Sequence, residues 1–233
     1  MNADEIQDLH FGEAPLAWRV NVKVNRSIKS YRYKHKGERC IILGNGPSLD
    51  MVDLSNIGCP TIGTNASWMV HESTYHCATD DWQFENYSAH RNINSWTNLF
   101  TANVDYDAFG VPNPKSCVRL TILDHGGEAA WSDDLTRGIY LCTTIMWYAL
   151  QLAAWMGFVE SGLIGFDLCA YGFNSKFYKH PKTSEPFFNE IADTQNRLMG
   201  WARKRLDGRM KITNLSPISR CDTLEKIRFE QWI

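Results

Sequence analysis

The chain has 233 residues, 44% hydrophobic and 21% charged, enough apolar material for one sizeable core and the wrong balance for a disordered protein. Its formal net charge of −2 excludes a global field drawing it to nucleic acid or membrane, so any such attraction has to be local. The seven cysteines (40, 59, 77, 117, 142, 169 and 221) are odd in number, scattered and without a C-x-x-C pair, which argues for free thiols in a reducing, cytoplasmic setting.

In chain order, the opening "MNADEIQDLHFGEAP" is acidic and polar, unlike a signal peptide. Between Arg19 and Arg39, lysines and arginines at 19, 23, 26, 29, 32, 34, 36 and 39 are opposed by Glu38 alone. Such a run is either a solvated basic face or a contact for phosphate, nucleic acid or a membrane surface. Residues 1–37 are expected to form a basic, partly helical N-terminal extension.

From Arg39 the text changes to short apolar runs bounded by turn residues: Cys40–Leu43, Pro60–Thr64, His76–Thr79, Asn98–Thr101 and Cys117–Leu123. Each is too short for a helix and reads as a buried strand. Gly138–Val159 carries no charge and is long enough to span a membrane. Its Thr143, Thr144, Tyr148 and Gln151, and its place between a Gly turn and a strand-like run, mark it instead as a helix buried on a sheet.

Gly162–Phe166 follows as another buried strand, then a lid-like loop near 168–183, rich in aromatics and Gly. A helix opens at Glu185-Pro186 and ends in the basic run Arg203-Lys204-Arg205, where cations suit the helix dipole. Met210–Thr213 reads as the last strand. The expected fold is α/β and Rossmann-like: a mostly parallel sheet with helices on both faces, forming one domain over residues 38–233.

In such sheets ligands bind beyond the carboxyl ends of the strands. Those positions hold Gly44–Ser48, Asn65, Asp80-Asp81, Asp167 and Asn214–Ser219, all polar or Gly-rich. Gly44-Asn45-Gly46-Pro47-Ser48 lacks the third Gly of a dinucleotide fingerprint and the Lys of a P-loop. Its glycines would still let backbone N–H groups approach a phosphate or ribose, or would simply form a tight turn.

Asp80 and Asp81 could hold a divalent metal or a ribose hydroxyl, or serve as a cap and a solvated acid. His180 could act as a general base, and Tyr171 and Tyr178 in the same loop could bond a phosphate or sugar. Nine Trp are a rich count; such side chains are usually core, but surplus ones often line sugar or base pockets.

Taken together, "IILGNGPSLDMVDLSNI" (41–57) resembles the opening of bacterial sialyltransferases of the Campylobacter lipooligosaccharide type. It also resembles archaeal hydroxymethylpterin diphosphokinase-like (MptE-like) proteins, which carry a G-P-S-L turn at the same place. Thr136-Arg137-Gly138-Ile139-Tyr140, Gly165-Phe166-Asp167, His180 and "NLSPIS" resemble further sialyltransferase segments in matching order over about residues 38–225.

The resemblance implies a nucleotide-sugar donor and an acceptor hydroxyl, on a glycan or, given the basic leader, a modified nucleic acid. Gly44, Asn45, Gly46, Pro47 and Ser48 would lie at the donor phosphate and ribose, with Asn65 and Asp81 flanking the nucleotide. Arg137, Gly138, Gly165, Phe166, Asp167 and Ser216 would complete the donor site. His180 would deprotonate the acceptor for an inverting attack, aided by Tyr171 or Tyr178.

Two departures are visible. Cys169 stands where those enzymes place a Tyr, and Asp80-Asp81 where they place an Asn, which leaves room for Mg or Mn at Asp80 and Asp81 although the leading scheme requires no cofactor. A diphosphokinase using ATP and Mg, a non-catalytic nucleotide or nucleic-acid binding module, and a homo-oligomer all stay open.

Overall fold

In the computed structural model of the chain, the described residues are 27–80, 98–102, 117–124, 126, 129–168 and 185–233, with 185–188 described for their backbone alone. Among the described residues, eight strands form one sheet: β1 (Arg39–Leu43), β2 (Thr61–Thr64), β3 (Tyr75–Cys77), β4 (Leu99–Thr101), β5 (Cys117–Arg119), β6 (Glu160–Ile164), β7 (Lys211–Asn214) and β8 (Glu225–Lys226). Their order across the sheet is β5-β4-β3-β2-β1-β6-β7-β8. Every pairing is parallel, so the expected α/β, Rossmann-like class is what the chain adopts.

Strand ends differ from the sequence expectation by one to four residues. The run expected to reach Leu123 stops as a strand at Arg119, and Ile122 then makes a single parallel bridge to Ile139. β8 has no counterpart in that reading. Its two residues, Glu225 and Lys226, are exposed and charged, so nothing apolar announces it.

Alternation along β1 divides the core. Cys40 and Ile42 face one cluster, and Ile41 and Leu43 face the other. On the first face lie the two long helices, α1 (Ile145–Met156) and α2 (Glu185–Arg205). The second face is covered by short pieces, the 3-10 turns Pro47–Met51 and Leu54–Asn56 and the one-turn helix α3 (Phe229–Trp232). Helical segments cover both faces as expected, but among the described residues the long ones are on one.

α1 is apolar on nearly every side because sheet, α2 and an outer strap of residues 129–141 surround it. The Thr144 side chain caps its start by accepting the Met146 N–H. The uncharged run 138–159 thus divides into the end of the strap, a 12-residue helix and a turn. No helix among the described residues is long and apolar enough to cross a membrane.

The carbonyls that end α1 have no acceptor role inside the helix. The N–H groups of Tyr33, His35 and Gly37 donate to the carbonyls of Trp155, Met156 and Gly157 at 3.0, 2.8 and 3.1 Å. Trp155 Nε1 donates to the Ile28 carbonyl at 3.0 Å, and Tyr31 is buried edge-on against Tyr75 and Phe100. Residues 28–37, grouped with the extension in the sequence reading, are packed on the core as the cap of α1.

Six cysteines among the described residues carry free thiols, and burial pushes the Cys40 thiol up to about 12. Tyr31→Ala should cost about 3–5 kcal/mol in urea unfolding, as for other buried aromatics. A cost below about 1 kcal/mol, the range of surface substitutions, would show residues 28–37 to be dispensable.

Candidate functional site

β1 connects onward to β2 on one side, whereas β6, its neighbour on the other side, connects to β7 in the opposite direction. The two connections diverge and leave a crevice beyond the carboxyl ends of β1 and β6, where open α/β sheets bind ligands. Leu43 and Ile164 are the last register partners, and Gly44 and Gly165 follow them.

The backbones meet there without side chains between them. A Cβ on Gly44 would strike the Gly165 carbonyl, and one on Gly165, at φ +76°, would lie 2.8 Å from the Gly44 carbonyl carbon. A Cβ on Gly46 would collide with the Asp167 carboxylate and lie 2.7 Å from the Gly165 oxygen. The glycines serve close backbone approach.

Gly44 N–H donates to Ile164 O and Gly46 N–H to Gly165 O, both at 2.8 Å. Ser48 N–H donates to Asp167 Oδ2 at 2.8 Å, and Gly165 N–H donates to Ser48 Oγ at 3.0 Å. Pro47 has no N–H and starts a 3-10 turn. The amides of Gly44, Gly46 and Ser48, which the sequence reading held out to a phosphate, therefore face protein acceptors.

What the crevice presents instead is side-chain oxygen. Asn45 Oδ1, Asn65 Oδ1 and Asp167 Oδ1 are buried and have no hydrogen-bond partner among the described residues. Buried polar atoms are ordinarily paired, so three orphans at the ends of adjacent strands point to a ligand.

Asn65 and Asp167 are held in place. Asn65 has φ +47°, and its carbonyl is bonded by the His76 ring at 2.8 Å from β3. Thr64 Oγ1 donates to Leu43 O at 2.8 Å, tying the end of β2 to that of β1. Asp167 is 2% exposed. Burial raises its pKa above the usual carboxylate value, opposed by the Ser48 hydrogen bond, the nearby Ser216 hydroxyl and the charge of Lys226.

Ser216 acts on the site through Phe166, whose N–H donates to Ser216 Oγ at 3.1 Å, while Ser216 N–H is taken by Asn214 Oδ1 at 3.0 Å. Phe166 itself lies in the core on the α1 side. Arg137 and Gly138 are elsewhere. Arg137 is exposed on the strap over α1, beside Asp134, whose carboxyl is held low first by hydrogen bonds from Thr136 and then by the charges of Arg32 and Arg137. Gly138 packs on Thr121 and Leu123 beyond β5.

Asp80 stands three residues past β3, half-buried. Asp81, Tyr171, Tyr178 and His180 lie outside the described residues. Among the described residues no three His, Cys, Asp or Glu side chains come together as metal ligands.

The sequence reading missed the start of α1. Thr64 Oγ1 is 4.0 Å from Met146 Sδ, which brings the first turn of α1 against the ends of β1 and β2. Thr143, just before the cap, has a buried Oγ1 without a partner among the described residues, and its carbonyl accepts from Gln195 Nε2 at 3.1 Å. The partial positive charge of the α1 N-terminus is thereby directed at the same edge of the sheet. Thr143-Thr144 ahead of an apolar run was the available signal.

No protein-family model matches the sequence, and no curated protein matches it. Among solved structures, the sialyltransferase CstII from Campylobacter jejuni with the substrate analogue CMP-3FNeuAc is 15% identical, with 81% of this chain and 86% of that one covered and a TM-score of 0.47. The sialyltransferase CST-II with trisaccharide acceptor and CMP is 14% identical, with 82% and 86% covered and a TM-score of 0.45. CstII from Campylobacter jejuni with cytidine-5'-monophosphate is 14% identical, with 82% and 85% covered and a TM-score of 0.48.

The Asp167 shift has a testable sign. A raised folded pKa favours the native state below the unfolded value of 3.8, and that contribution is lost as pH rises through the folded pKa. Asp167→Asn, which still offers an acceptor to Ser48 N–H, should therefore gain in melting temperature over the parent as pH is raised from 4 to 7. A constant difference across that range would show that Asp167 carries no burial penalty.

Proposed function

We propose that the chain binds a nucleotide-activated sugar in the β1–β6 crevice and transfers the sugar, with inversion, to an acceptor hydroxyl. The observation that carries this reading is the buried Asp167 carboxylate, with one oxygen on Ser48 N–H and the other, like Asn45 Oδ1 and Asn65 Oδ1 at the ends of the next two strands, buried without a hydrogen-bond partner among the described residues. An ionised carboxylate accepts hydrogen bonds and a side-chain amide both donates and accepts. Such a set suits the vicinal hydroxyls and ring groups of a nucleoside. The α1 N-terminus at the same edge suits its phosphate.

His180 is the general base in this scheme. Its imidazole takes the acceptor proton while the acceptor oxygen bonds to the anomeric carbon. The bond from that carbon to the phosphate oxygen breaks on the opposite side, and the nucleotide leaves with the bonding pair. His180 itself lies outside the described residues; Arg220 ties Asp167, before that segment, to α2 after it. Its N–H donates to Asp167 O at 2.8 Å and its Nη1 to Asn189 Oδ1 on α2, also at 2.8 Å.

The acceptor is read as a glycan hydroxyl, and the donor's base and sugar are to be found by titration. Calorimetry with CMP, CDP, UDP and their sugar conjugates, with and without Mg or Mn, should give binding of at least one member. Asp167→Ala and Asn45→Ala should abolish it. His180→Ala should keep binding and lower kcat by about 10²- to 10⁴-fold, the usual contribution of a general base. No binding by any member under any condition would overturn the proposal.

A further inference from the structure

The end of the sheet opposite the crevice carries a surface that group transfer does not use. The turn of residues 32–38 before β1, Val159 before β6 and the turn 206–210 before β7 all lie at the amino edge of the strands. Val159 N–H donates to Glu38 O at 2.8 Å and Lys211 N–H to Val159 O at 2.9 Å, which joins the three. The last turn of α1 ends at the same place, under Tyr33, His35 and Gly37.

Exposed Lys29, Arg32, Lys34, Lys36, Arg205 and Arg209 there outnumber Glu38, Asp133, Asp134 and Asp207, in a chain whose net charge is −2. Arg205 and Arg209 both bond Asp133. Two other cations are held against aromatic rings. Arg32 lies 5.0 Å from the Trp155 centroid and 5.1 Å from that of Tyr33, and Lys34 lies 5.1 Å from Tyr31 and 5.3 Å from Tyr75. The charge is concentrated and partly ordered in advance.

Apolar groups stand among these cations. Tyr33 is 58% exposed and Val159 47%. Tyr33 also has φ +56°, a left-handed conformation that costs energy for a bulky residue. The backbone turn at Tyr33 serves the cap of α1, but the cap does not require an aromatic side chain there, and this one faces outward.

We infer that this face docks on an anionic lipid surface. The cations attract the headgroups, and Tyr33 and Val159 occupy the boundary between headgroup and acyl chain, where aromatic residues with a polar tip are favoured. A polyanion such as duplex DNA would use the cations but gains nothing from a protruding Val159. Docking leaves the crevice open, because it lies beyond the other ends of the same strands. The inference does not depend on what the crevice binds.

The test is co-sedimentation of the full chain with phosphatidylcholine vesicles, with and without phosphatidylglycerol, at low and high salt. Pelleting is expected only with the anionic vesicles and should fall as salt rises. Lys29→Glu with Lys36→Glu should weaken binding tenfold or more, at about the strength expected per surface cation. Tyr33→Asn, which suits the left-handed backbone, should weaken binding while leaving the melting temperature equal or higher.

Equal pelleting on neutral vesicles would overturn the inference, as would binding unchanged by the charge reversals. It would also fall if a short DNA duplex bound with no response to Tyr33→Asn while vesicles failed to bind.

Discussion

The contact on which the rest of the molecule depends is the backbone approach of Gly44 to Gly165. It closes the central pair of strands up to their last residues, so the Gly44 and Gly46 N–H groups reach carbonyls at the end of β6. That closure brings Ser48 N–H onto one Asp167 carboxylate oxygen and leaves the other buried without a partner among the described residues. A side chain at either glycine would part the strand ends. Site and sheet are thus one piece of packing, and the cost of burying Asp167 is accepted where two chain directions diverge.

α1 connects the two ends of the molecule. Its amino end meets the tips of β1 and β2, and its carboxyl end is closed by the N–H groups of residues 33–37. A buried helix without charges has no water to satisfy its terminal carbonyls, so some other segment has to supply donors. The segment that does so also carries Arg32, Lys34 and Lys36, placing cations where the helix dipole favours them. The basic turn is in this sense a structural cap, with surplus charge and one strained aromatic left facing outward.

Much of the fold could be read from the chain. Short apolar runs at Cys40–Leu43 and Gly162–Phe166 are legible as strands because a parallel sheet buried on both faces needs continuous apolar residues. α2 was legible at both ends, from Pro186 and from the cations at its last turn. Less legible was the exposed pair Glu225-Lys226, held as a strand only by its pairing with β7. The role of the glycine turn was also hidden. From sequence its amides were free to meet a phosphate, and only the neighbouring strand shows them engaged.

The sequence by itself determined the parallel α/β class, the polar groups at strand ends, and the places of Asn45, Asn65 and Asp167 along the chain. These follow from local patterning, in which the apolar period and the turn residues are written directly. The tertiary structure decided which strand ends are neighbours, because β1 and β6 are more than a hundred residues apart and no local rule pairs them. It also decided that Asp167 keeps an orphaned oxygen, that Arg137 lies on the strap away from the crevice, and that residues 28–37 belong to the core. Orphan atoms and shared edges are properties of packing between distant segments, and the chain carries no local mark of them.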